Sequence, residues 1–150
     1  MAKPLMPALD AEQFAVSLDA NVTLRGYQGE VSEGTPLVLL HSINAAPSAM
    51  EIRPLFEHYR DKRPVMAPDL PGFGLSDRPA VSYSAVQYAR WIAQWLKDFD
   101  SPPDVVALSL TGEFVARAIL EQGTRIRSLT LISPTGMGTA NPPSLPDGSR

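Results

Sequence analysis

Two short apolar runs restrict what this chain can become. Leu37-Val38-Leu39-Leu40 and Val105-Val106-Ala107-Leu108 carry no polar alternation, as expected of strands buried on both faces of a parallel sheet. Helical patterns lie between and after them. Pro47 to Tyr59 has helical spacing, although Pro54 inside it predicts a kink or a later start. Ser84 to Phe99 places Val86, Ala89, Ile92, Ala93, Leu96 and Phe99 on one stripe, with Ser84 as its cap. Thr111 to Gln122 reads as a helix closed by Gly123. Pro64 to Ala67 and Ser128 to Ile132 read as further strands. Phe14–Leu18 and Val22–Tyr27 read as a hairpin turning at Asp19-Ala20-Asn21. The alternation predicts an α/β fold: a mostly parallel sheet with helices on both faces and an N-terminal antiparallel hairpin.

The chain's 150 residues suit one domain. Residues 134–150 are rich in glycine and proline and read as a loop. A net charge of −3 gives no electrostatic reason to expect nucleic acid or an anionic membrane as partner. No apolar run is long enough to span a bilayer, and the first residues lack a signal-peptide core. Without cysteine, disulfides and thiolate metal sites are excluded. The expectation is a cytoplasmic protein with no metal and no organic cofactor.

The chemistry concentrates at three loops. In the first, the run Val105–Leu108 ends on Ser109, and a helical pattern begins at Thr111. A chain presents a nucleophile on a sharp strand-to-helix turn in this way, and such a turn needs small residues two places either side of the serine. Ala107 meets that need and Thr111 meets it poorly, while Gly112 lets the helix start close to the sheet. The motif alone leaves open a serine that merely ends a buried strand.

The second loop is Asp69-Leu70-Pro71-Gly72-Phe73-Gly74-Leu75-Ser76-Asp77-Arg78-Pro79. Its two aspartates are expected to accept bonds from backbone amides inside the loop. Gly72-x-Gly74 lacks a third glycine and opens no helix, so it is not a dinucleotide site. The third is His41-Ser42-Ile43-Asn44, directly after a buried strand, where backbone amides can face an oxyanion.

Together these segments resemble the α/β-hydrolase family. D-L-P-G-F-G-L-S-D-R-P is similar to the segment after that family's fourth strand, L-L-H-S-I-N to its oxyanion motif, and A-L-S-L-T-G to its nucleophile elbow. The resemblance runs from about Phe14 to Gly138. It implies Ser109 as nucleophile, the backbone amides of Ile43 and Leu110 as oxyanion donors, and His41 as a structural histidine. Ser42 and Thr111 stand where the family usually has glycine, which predicts crowding at the site. A serine nucleophile sets the chain apart from the aspartate-dependent dehalogenases and epoxide hydrolases.

The resemblance also implies an acid and a histidine downstream of the serine. No histidine lies between Leu110 and Arg150, and Asp147 is the only acid after Glu121. His58, on the helix after the oxyanion loop, is expected at the surface. The expectation is therefore an incomplete α/β-hydrolase core, the N-terminal portion of a serine hydrolase for small-molecule esters. It would be inactive alone and broken off before its cap. The alternatives are a non-catalytic binding module and a half-enzyme completed by a partner chain. Strand 128–132 would leave an open edge, inviting self-association or a complementary fragment.

Overall fold

The computed structural model describes residues 6–136. Asp147 and the loop expected beyond residue 136 lie outside them. Six strands form one sheet in the order β1-β2-β4-β3-β5-β6. β1 (Glu12–Asp19) and β2 (Val22–Gln28) form the antiparallel hairpin, and β2 also pairs antiparallel with β4 (Val65–Asp69). β3 (Leu37–Leu40) lies parallel between β4 and β5 (Asp104–Leu108), and β6 (Ser128–Ile132) runs parallel to β5 at the edge.

The alternation of side chains along β3 divides the interior. Val38 and Leu40 enter a core beneath α2 (Ala85–Leu96) and α3 (Thr111–Gln122). Leu37 and Leu39 enter a second core with Phe56 of α1 (Arg53–Tyr59) on the opposite face. All four β3 residues are buried, which is why this strand has no polar period.

Each helix boundary has a local cause. The Ser84 hydroxyl accepts the Gln87 amide at 3.1 Å and starts α2. Gly123 takes a left-handed φ of 66° and ends α3. Pro54 occupies the first turn of α1, where its missing N–H costs nothing; a 3-10 turn over Ala49–Ile52 precedes it. The stripe expected on α2 needs correction at Val86, which is exposed. Ala89, Ile92 and Leu96 of that stripe are buried, and Tyr88, Trp91 and Trp95 complete the buried face. At about 100° per residue, Val86 stands roughly half a turn away from Tyr88.

Asp104 at the start of β5 ties three segments together. It accepts from Arg63 at 2.7 Å, Arg127 at 2.9 Å and the Ser128 hydroxyl at 2.5 Å. The bond from Arg127, with those from Ser128 and Arg63, holds its carboxyl well below the usual carboxylate range against the opposing effect of burial.

Candidate active site

Ser109 leaves β5 at a φ of +55°, a left-handed conformation that a serine adopts at a cost. Its amide donates to the Ile132 carbonyl at 2.8 Å, and its carbonyl accepts the Gly112 amide at 3.2 Å. The turn is thus held by β6 on one side and by the first turn of α3 on the other. Gly112 lies close to β6: a Cβ there would come within 2.7 Å of Leu131 Cδ2 and would push that side chain aside. α3 therefore starts hard against β6.

Thr111 does not crowd the turn as its branching predicts. It is fully buried, and its hydroxyl donates to the His41 carbonyl at 2.6 Å. The extra bulk is absorbed in a bond linking the elbow to the end of β3.

His41 is also fully buried, and both ring nitrogens are engaged. Nε2 accepts the Leu70 amide at 2.8 Å, so Nδ1 carries the proton and donates to the Ser42 carbonyl at 2.6 Å. Burial pushes the imidazole below its ordinary range, outweighing the Ser42 carbonyl and the charges of Asp69 and Glu51. A neutral ring with both nitrogens occupied holds loops together and has no lone pair for a serine proton. His58 is exposed on α1, which packs on the other face of the sheet from α2 and α3.

Ser42 is buried and bound to Glu51. Its amide reaches Glu51 Oε2 at 2.8 Å, and its hydroxyl lies 2.8 and 2.9 Å from the two carboxylate oxygens. Asn44 Nδ2 donates to the same carboxylate at 2.6 Å. Partial burial works to raise the Glu51 pKa, but the bonds from Ser42 and Asn44 and the nearby His41 outweigh it and hold the carboxyl below its ordinary value.

The aspartates of the glycine-rich loop reach further than expected. Asp69 is fully buried and accepts the Leu75 amide inside the loop at 2.9 Å, but also the Ala49 amide outside it at 2.8 Å. The Asp77 carboxylate accepts the Thr23 amide of β2 at 2.8 Å, while its backbone carbonyl closes the loop on the Gly72 amide at 2.8 Å. A Cβ at Gly74, whose φ is +46°, would fall on the Asp69 carboxylate.

Ile43 and Leu110 meet at one cavity of about 540 Å³, lined also by Phe73, Tyr83, Tyr88 and Phe114. The Tyr88 and Phe114 rings stack at 4.9 Å, and the Tyr88 hydroxyl donates to the Pro71 carbonyl at 2.9 Å. Burial, with Tyr83 beside it, pushes the Tyr88 phenol up to about 12, so it stays a neutral wall. The wall is mostly apolar and aromatic, with Arg78 and Ser84 as its polar members, and suits a largely apolar organic group. A cleft of similar volume, about 580 Å³, lies between the C-terminal ends of α2 and α3, lined by Leu96, Lys97 and Gly123. It includes neither Ile43 nor Leu110. Ser109 itself lines neither cavity and adjoins the first through its neighbour Leu110.

Among the described residues, no cluster of histidine, cysteine and carboxylate side chains would hold a metal ion. No described helix is long and apolar enough to cross a membrane.

Two known proteins are similar to this chain in sequence. The chain is 28% identical over 138 residues to the 2-hydroxymuconate semialdehyde hydrolase of Pseudomonas putida, spanning 86% of this chain and 48% of that protein. It is 31% identical over 115 residues to the 1-acylglycerol-3-phosphate O-acyltransferase of Mus musculus, spanning 73% of this chain and 32% of that one. The chain thus spans between a third and a half of the length of these relatives. The serine hydrolase of carbazole degradation superposes with a TM-score of 0.76 at 21% identity, covering 85% of this chain and 50% of that one. A haloalkane dehalogenase of Agrobacterium tumefaciens superposes at 0.71 and 21%, covering 85% and 43%. Identities that low speak for the fold alone. The profile of the alpha/beta hydrolase family matches residues 37–150, and this chain belongs to that family.

Proposed function

We propose that this chain carries the nucleophile and oxyanion hole of a serine hydrolase acting on ester-type bonds of small, largely apolar substrates. The observation that carries the reading is the left-handed backbone of Ser109 between β5 and α3, a strain that aims a side chain out of a packed sheet. Ser109 Oγ attacks the ester carbonyl carbon, and the carbonyl π pair moves onto oxygen. The amides of Ile43 and Leu110 donate to that oxyanion. Collapse expels the alkoxide, which leaves as the alcohol after taking a proton, and water then hydrolyses the acyl-enzyme. The cavity walled by Phe73, Tyr88 and Phe114 would take the apolar part of the substrate.

The serine proton needs an acceptor. His41 has no free nitrogen, and His58 lies on the other face of the sheet. In this reading the catalytic acid and histidine come from polypeptide other than these 150 residues, and the 150-residue chain alone turns over negligibly. The absence of cysteine fits a reducing compartment, and we extend the reading to a cytoplasmic location.

A fluorophosphonate that captures activated serines tests the assignment. Labelling at Ser109, confirmed by peptide mass and lost in Ser109→Ala, is the expected result. Labelling elsewhere, or none even when the missing polypeptide is supplied, favours a binding module that uses the same cavity without turnover.

A further inference from the structure

The loop that carries Ile43 is held by more than its own backbone. Ser42 is pinned at three atoms: its amide and hydroxyl on Glu51, and its carbonyl on His41 Nδ1. The Ser42–Ile43 peptide is trans, so its C=O and N–H point in opposite directions from one rigid plane. Fixing the carbonyl on His41 therefore fixes the Ile43 N–H away from the imidazole. Fixing the preceding amide on Glu51 removes the other rotation by which that plane could tilt. Ser42 N–H, spent on Glu51, is not available to an oxyanion, and the next amide along the loop is that of Ile43.

We propose that Glu51 is a positioning residue for the oxyanion hole, bracing the loop through Ser42 so that the Ile43 amide is aimed before substrate arrives. This inference rests on the serine-hydrolase reading. It also gives the serine at position 42 a role that glycine could not fill, because the hydroxyl is half of the brace. Glu51 itself sits on the 3-10 turn Ala49–Ile52, whose first amide, that of Ala49, is held by buried Asp69. The brace is anchored in the core of the molecule.

A carboxylate near a forming oxyanion also repels it. The two effects predict opposite outcomes for Glu51→Gln, which keeps the shape but places an amide NH2 group among the donors of Ser42 and Asn44. Loss of one aligned oxyanion donor costs on the order of 10²–10³ in rate, and a tilted donor a part of that. Repulsion by an exposed, threefold-bonded carboxylate is screened by water. The brace is therefore expected to dominate.

The test is the rate of Ser109 phosphonylation in the full chain, together with backbone amide spectra of the free protein and the adduct. Glu51→Gln should slow phosphonylation by about tenfold or more. It should diminish the adduct-induced shift of the Ile43 amide and spare that of Leu110. Glu57→Gln, which alters an acid bonded to Arg60 on α1, is the control and should change neither. Ser42→Ala removes only the hydroxyl and should give a smaller loss that is not additive with Glu51→Gln. It carries the test if the glutamine variant folds poorly. An unchanged or faster rate in Glu51→Gln with an unaltered Ile43 shift overturns the brace. If the wild-type chain does not react even with the polypeptide that supplies the acid and histidine present, the nucleophile reading fails separately. The brace is then judged on hydrogen exchange of the Ser42 and Ile43 amides in the free protein: faster exchange in Glu51→Gln supports it, and equal protection overturns it.

Discussion

Thr111 and His41 are joined by a 2.6 Å hydrogen bond from the threonine hydroxyl to the histidine carbonyl. The turn after β5 and the loop after β3 are thereby fastened, across 70 residues of chain, at the point where β5 and β3 end side by side. Thr111→Val keeps the shape and leaves that buried carbonyl without its donor. It should destabilise the chain by about 1–3 kcal/mol, measured by denaturant unfolding. An unchanged unfolding midpoint would mean that the bond contributes nothing net.

The strain at Ser109 makes a second, opposite prediction. Glycine adopts a φ of +55° without penalty. Ser109→Gly should therefore raise stability by about 1 kcal/mol while abolishing phosphonate capture. A variant both less stable and still reactive would contradict the elbow.

Acid should act on the chain in two stages. His41 has a lowered imidazole pKa in the folded state, so unfolded chains bind its proton first. Stability present above the ordinary histidine value, about 6.5, is lost as pH falls below it. Asp104 is also lowered. Its contribution is present above the ordinary aspartate value, about 4, and fades below that as pH falls toward the folded value. Asp104→Asn should cost about 2 kcal/mol at neutral pH and remove the second stage. Urea midpoints across pH in wild type and variant decide this.

Steady-state hydrolysis of a nitrophenyl ester by the 150-residue chain should be negligible. Neither histidine offers a free nitrogen to Ser109, and donors alone leave only residual catalysis. Turnover typical of an intact enzyme and abolished by Ser109→Ala would show that a base is already within reach.

The outer edge of β6 predicts association. Among the described residues β6 pairs only with β5, and Leu131 is 39% exposed on it. No lysine, proline or inward charge guards Ser128–Ile132. The 150-residue chain should self-associate in light scattering, and Thr130→Lys should reduce that. A stable monomer with cooperative unfolding would show that the edge is protected.

Much of this was legible locally. The strand runs, the Ser84 cap, the Gly123 stop and the turn after β5 are set by neighbours in sequence, whose periodicity and backbone preferences act over a few residues. Val86 was misplaced because an apolar stripe can be drawn through several phases of a helix, and burial of the two tryptophans selected one. Asp77 closes its own loop through its backbone carbonyl, on the Gly72 amide, while its carboxylate goes to β2, which lies beside it only in space.

The sequence by itself determined the fold class, the order of elements and the place of Ser109, since each follows from short-range pattern. The tertiary structure decided the partners of the polar groups. Ser42 finds Glu51, Thr111 finds His41, and Asp104 finds Arg63 and Arg127 only when β3, β4, β5 and β6 are laid side by side. A buried polar atom must be paired, but which atom pairs with it depends on a few ångströms of three-dimensional approach that no local period encodes.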